Sequence, residues 1–218
     1  MRKILFCVLA VAVATLLNSC YQQNSNECRI HGTMGSDQYE GKLIFLVPLN
    51  GPATMETVDS VEIKDKKFEF VTQKMQMYKI LLDYHYRLGI QPLLVVGEAG
   101  DVQVVIDSIS HSTGTPQNDS LELWKQRTEQ HALDLGNLKR MIASMKEKGN
   151  EKEIALLNAR GDSIHLQYKK MTRQMAANLK EGVLHDFLAG RFPTTYKKKL
   201  PDGRIVTINA DTNEEIPE

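Results

Sequence analysis

Residues 121–145 read LELWKQRTEQHALDLGNLKRMIASM, and their spacing sets the architecture of half the chain. Leu121, Trp124, Thr128, His131, Leu135, Leu138, Ile142 and Met145 recur at alternating steps of three and four. The same stepping resumes at Ile154, Leu157, Gly161, Ile164, Tyr168, Met171, Met175 and Asn178. An apolar repeat of 3.5 residues is the seam of a coiled-coil pair. Gly149-Asn150 interrupts it, and so short a turn makes the two helices antiparallel neighbours. Folding about that turn pairs residues whose numbers total roughly 299. Met145 then meets Ile154, Leu138 meets Gly161, His131 meets Tyr168, and Trp124 meets Met175. Glycine costs a helix ~1 kcal/mol against alanine, so Gly161 is expected to make room for Leu138. His131 is expected to bond Tyr168. Asn118, Asp119 or Ser120 is expected to cap the first helix, with Glu122 in its first turn. Each arm should run ~40 Å.

Upstream the texture is β. Cys28 to His31 alternates into Gly32, Lys42 to Leu49 is continuously apolar, and Thr57 to Ile63 alternates again. Phe68 to Val71, Met77 to Tyr84, Gln91 to Val96 and Val102 to Ile106 complete about seven short strands. Turn signals stand at Asn50-Gly51-Pro52, Lys64-Asp65-Lys66, Gly89, Gly97 and Gly100. Strands so spaced, with no helix between them, predict an antiparallel sandwich or barrel-like domain. Downstream, Glu181 to Arg191 reads as a short helix that Pro193 terminates. A hairpin of Tyr196–Leu200 and Arg204–Ile208 follows, around Pro201-Asp202-Gly203. Residues from Asp211 onward are expected to fray. The fold class is therefore α+β, in three parts. An N-terminal antiparallel β-sandwich-like domain covers 28–112, a long antiparallel helical hairpin region covers 113–190, and a short C-terminal β-hairpin with its tail covers 191–218.

Met1-Arg2-Lys3 precedes an apolar run from Ile4 to Leu17, and Leu17-Asn18-Ser19-Cys20 closes it. At 14 residues the run fits an export signal and is short for a spanning helix. Residues 1–19 read as a lipoprotein signal peptide, with Cys20 as the lipidated residue and 20–27 as a polar tether. Cleavage would leave 199 residues carrying 25 basic and 27 acidic side chains. That balance predicts no attraction to nucleic acid. Membrane binding falls to the lipid, each buried methylene contributing ~0.8 kcal/mol. Tyr21 after the lipidated residue favours the outer membrane. The periplasmic face is the expected side, and the cell surface is the alternative.

Cys7 leaves with the signal and Cys20 is lipidated, so Cys28 is the remaining thiol. An intramolecular disulfide and a C-x-x-C pair are both excluded. Cys28 reads as a small buried hydrophobe, and it is also the one residue that could make a redox contact with another molecule. Six histidines lie far apart without H-x-x-x-H or H-E-x-x-H spacing, so no metal is expected. Met145, Met171 and Met175 fall on the helical seam, where packing explains them better than copper ligation. Asp59-Ser60 and Asp162-Ser163 lack the motifs of a nucleophilic serine. The glycines form no phosphate-binding loop, and no cofactor is expected. Lys197-Lys198-Lys199 reads as the guard of an edge strand, with contact to anionic lipid as the lesser reading.

A family resemblance is carried by Ile30-His31-Gly32, Leu43-Ile44-Phe45-Leu46, Val58-Asp59-Ser60-Val61-Glu62-Ile63, Phe68-Glu69-Phe70 and Ser112-Thr113-Gly114-Thr115-Pro116-Gln117-Asn118-Asp119. These segments, from about Cys28 to Leu123, resemble the domain of unknown function 4369. The resemblance implies an exported Gram-negative lipoprotein related to thiol-disulfide interchange proteins. In those proteins a β-rich module precedes a helical stretch and a thioredoxin-like catalytic domain. Phe192-Pro193 and Leu200 to Arg204 faintly resemble the lead-in to that last domain, but its C-x-x-C has no counterpart here. The expected function is thus a non-enzymatic binding or assembly module, lipid-anchored in the envelope and engaging a protein partner there. An accessory to a thioredoxin-like oxidoreductase, and a small-ligand or metal-binding protein, are the alternatives.

Overall fold

The computed structural model describes residues 26–82, 92–212 and 214–217. The segment read as a signal peptide, Cys20 with its expected lipidation, Cys7, most of the expected tether, His85 and Gly89 lie outside the described residues, as do the ends expected for two strands at Tyr84 and Gln91. Two four-stranded sheets face each other. The first has the order β4-β1-β7-β8, from β1 (Cys28–Met34), β4 (Lys67–Thr72), β7 (Gly100–Ile106) and β8 (His111–Thr113). The second runs β3-β2-β5-β6, from β2 (Leu43–Pro48), β3 (Asp59–Glu62), β5 (Met77–Leu81) and β6 (Leu93–Val96).

Alternation supplies the core. Cys28, Ile30, Phe68, Phe70, Val102 and Val104 point inward from one sheet, and Ile44, Leu46, Ile80, Leu93 and Val95 from the other. Gly32 stands opposite Phe68 across the β1–β4 ladder, and a Cβ there would sit 1.9 Å from the Phe68 ring. The absent side chain is what lets that ring fold over β1. The pairing is antiparallel apart from β1 with β7, which run parallel with Cys28 opposite Gly100. The reason is the corner at 97–99, which carries the chain from the second sheet back into the first along the direction of β1. β8 is an eighth strand of the sandwich, beyond the seven expected, which end at Ile106.

β6 (LLVV) is apolar throughout because it is buried on both faces. Leu93 and Val95 enter the sandwich, while Leu94 and Val96 join a second core beneath the helices. α1 (Pro116–Glu147) and α2 (Glu151–Leu179) form the expected hairpin, and α3 (Val183–Arg191) folds back against its base. Leu121, Trp124, Ala176, Leu184 and Leu188 close this second core against Met77 and Val96. Two of the expected seam pairs, His131 with Tyr168 and Leu138 with Gly161, come together, while the Trp124 indole, expected at Met175, bonds Thr172, three residues earlier on α2. A Cβ on Gly161 would lie 3.7 Å from Leu138 Cδ1, an ordinary contact, so the glycine leaves more room than Leu138 requires.

The C-terminal strands are β9 (Thr195–Lys199), β10 (Ile205–Asn209) and β11 (Glu215–Ile216), in the order β11-β10-β9. The tail does not fray at Asp211, contrary to the sequence expectation. Glu215 and Ile216 add a third strand to the hairpin, and the Asp211 carboxylate is held by Lys169 and Arg173 of α2. β9 lies at the sheet edge with all five residues exposed, so Lys197, Lys198 and Lys199 stand where an edge guard belongs.

Candidate functional site at the junction of sandwich and hairpin

The first turn of α1 is built into the sandwich by side chains that the sequence suggested as caps. Thr115 is the N-cap residue and makes no side-chain cap bond. Asn118, fully buried, instead turns to β6: its Oδ1 accepts the Val96 N–H and its Nδ2 donates to the Val96 carbonyl, both at 2.9 Å. Asp119 accepts the Gly114 N–H, and Ser120 donates back to the Pro116 carbonyl. Gln117 completes the joint. Its N–H donates to Glu98, and its side-chain oxygen accepts the N–H of Leu184 at the start of α3. Asn150, by contrast, caps α2 as an N-cap should, accepting the Glu153 N–H.

These contacts give the molecule a direction. Cys28 pairs with Gly100, and Gly100 abuts Thr115, so α1 begins at the end of the sandwich where the chain enters β1. Glu122 then reaches the Ser112 N–H on β8. Thr128 and Ala132 share a groove with the Asp107–Ser110 turn at the opposite end. α1 therefore runs the height of the sandwich away from Cys28. Its last turns, from Leu133 to the Gly149 turn, continue ~24 Å further. Glu27 already belongs to the folded part, since Gly100 N–H donates to its carbonyl and Arg29 pairs with its carboxylate at 2.6 Å.

The groove, of about 770 Å³, lies between α1, the start of β6 and the Asp107–Ser110 turn. Trp124 forms one end of it. Its indole N–H donates to Thr172, the Phe187 ring meets it edge-on at 5.4 Å, and the Arg191 guanidinium lies 5.4 Å from its ring centre. Arg191 also sits 5.2 Å from the Phe187 ring. Along the wall, Lys125 is paired with Glu122 at 2.6 Å. Asp107 folds its turn on itself, accepting the Ile109 N–H, and leaves the Ile109 side chain 76% exposed at the groove edge.

Higher in the hairpin lies an aromatic layer. The His131 and Tyr168 rings are stacked at 4.2 Å, so the two do not bond as expected. Tyr168 gives its hydroxyl to Thr128 instead, at 2.8 Å. His131 Nε2 is buried without a hydrogen-bond partner, and His165 lies 5.5 Å away, ring to ring. Burial first, and the His165 charge second, push the His131 pKa down from its ordinary value, while Asp134 opposes. Phe192 meets both His165 and Tyr168 edge-on, and Arg173 holds its carbonyl.

The remaining candidates are separate. Cys28 is completely buried in the sandwich, and burial pushes its thiol pKa up, opposed by a backbone hydrogen bond from Glu98 and reinforced by the Glu98 and Asp101 charges. A thiol so placed presents no surface to a partner, which weighs against the redox contact. His31 lies on the outer face of the first sheet between Glu69 and Asp101. His111 and His185 bond close neighbours in sequence. No cluster of three metal-ligating side chains occurs among the described residues. Met175 packs into the second core, while Met141 is half exposed. Ser60 is exposed, and Asp59 bonds its backbone N–H rather than its hydroxyl. Arg191 was not singled out in the sequence. A lone arginine at a helix end carries no signal, and only the fold brings it over Trp124.

No helix among the described residues is long and apolar enough to cross a membrane. No curated protein and no solved structure matches the chain. Residues 28–121 match the family model described as a domain of unknown function (DUF4369). That match ends inside α1 at Leu121, one turn past Asn118, where the helix is still part of the sandwich's packing. Over residues 28–121 the chain is thus similar to the domain of unknown function DUF4369.

Proposed function

We propose that this protein is a lipid-anchored envelope adaptor that binds or assembles partners and does no catalysis. Cys20 carries the lipid at the outer membrane, on the periplasmic side, and the hairpin meets a protein partner. The observation that supports this reading is the direction of α1. The lipid would sit at most ~28 Å of extended chain from β1, beside the root of the hairpin, while the hairpin tip points to the opposite end. The projecting turns carry the exposed apolar side chains of Leu133, Met141 and Leu156. The joint at Asn118 and Gln117 makes the hairpin a rigid extension of the sandwich, so a contact at the tip is held at a fixed distance from the anchor.

Two experiments test it. Metabolic labelling with a fatty acid should mark the wild-type protein and fail with Cys20→Ala. A photo-crosslinker at 141 or 156 in intact envelopes should give one recurrent protein adduct that is absent when it sits at 60 on the sandwich. Unlabelled wild type, or adducts independent of position, would defeat the reading.

A further inference from the structure

We propose that the groove between α1 and the Asp107–Ser110 turn binds a small amphiphilic carboxylate, its head group on Arg191 and its apolar body along α1 toward Ala132. This does not rest on the adaptor reading.

The Arg191 side chain is exposed, and its guanidinium is fixed over two rings, Trp124 and Phe187. It has no ion pair with a carboxylate among the described residues. The planar guanidinium fork presents two parallel N–H donors matched to a carboxylate. Lys125, the other cation of the groove, already has Glu122, so the open positive charge is at the Trp124 end. Glu129 and Asp107 belong to the other end, which disfavours an anion there and fixes the direction of the ligand. Trp124 to Ala132 spans ~12 Å of helix, enough for a chain of about eight to ten carbons. Leu94, Ile109 and Ala132 offer that chain apolar contact. Ile109 is held outward by a turn that Asp107 and Ser110 bond together, an exposure that a covering apolar group would remove. The volume lies within the usual range for small-molecule sites.

Trp124 is the only tryptophan of the chain, so its emission reports the site directly. The test is a titration of the folded protein with decanoate below its micelle concentration, with decanol and acetate as controls, followed by fluorescence and calorimetry. The expected result is saturable decanoate binding, at least about tenfold tighter than decanol, with acetate inert. Arg191→Gln should abolish the preference for decanoate over decanol, and Ile109→Ser should weaken both. Equal binding of decanoate and decanol to wild type would overturn the proposal without any variant. An unchanged preference in Arg191→Gln, or no saturable response at all, would overturn it as well.

Discussion

Asn118 stands in for a strand residue beside Val96: one side-chain amide satisfies both the N–H and the carbonyl of that residue, each at 2.9 Å. Its second N–H also reaches Thr115 Oγ1 at 2.8 Å. Asn118→Ala would leave the Val96 groups buried and unpaired, which costs about 1–3 kcal/mol for each polar group. Urea unfolding should show that loss as a lower midpoint. Asn118→Asp should be no better, because its second oxygen would face the Val96 carbonyl.

Gly161 gives the opposite sign. Its Cβ position lies at an ordinary 3.7 Å from Leu138, so Gly161→Ala meets no clash while gaining helix propensity. Thermal unfolding should show a stabilisation of about 0.5–1 kcal/mol.

His131 makes the hairpin sensitive to mild acid. Its folded pKa lies below the free value of 6.5, so the unfolded chain binds the proton first as pH falls. The stability present at neutral pH is therefore lost as pH drops below about 6.5, and goes on falling until it passes the folded pKa. His131→Phe keeps the stack on Tyr168 and removes the orphaned Nε2. Urea midpoints compared at pH 7.5 and 5.0 should fall for wild type and fall less for the variant.

Asp211 governs the C-terminal sheet at much lower pH. Hydrogen bonds from Arg173 and Lys169 pull its pKa down to about 2 from 3.8. A depressed carboxylate contributes stability above its unfolded pKa and loses it as pH falls through the folded one. Asp211→Asn should loosen the sheet at neutral pH. Faster amide exchange at Val206 and Ile208, with the sandwich core unchanged, is the expected readout.

Cys28 should be inert while the protein is folded. Its thiol is buried and its pKa raised, so the thiolate that reacts is suppressed twice over. A maleimide should leave the native Cys28 unmodified and label it in urea. Rapid native labelling would restore the redox reading.

The helical seam was legible in the sequence because a 3.5-residue period and a two-residue break leave one way to fold. The alternating strands were legible for the same reason, since Phe68-Glu69-Phe70 can hide its rings on only one face. Asn118 was not. An asparagine just before an apolar helical run suits capping, and its bond to Val96 depends on a strand 22 residues away. β8 was missed because three polar residues carry no alternation; Ser112 is buried there by α1 and β6, not by its own chemistry. The tail strand depends on Asp211 meeting two cations of α2, a contact 38 residues or more away in sequence.

The most direct test of the adaptor account is the height of the hairpin above the bilayer. Fluorophores placed through Lys148→Cys at the tip and Lys180→Cys at the root, in separate lipidated proteins on vesicles carrying a lipid-borne acceptor, would report it. The account predicts strong energy transfer from position 180 and little from 148, since ~45 Å of helix separates the two levels. Equal transfer from both positions, or stronger transfer from the tip, would contradict it.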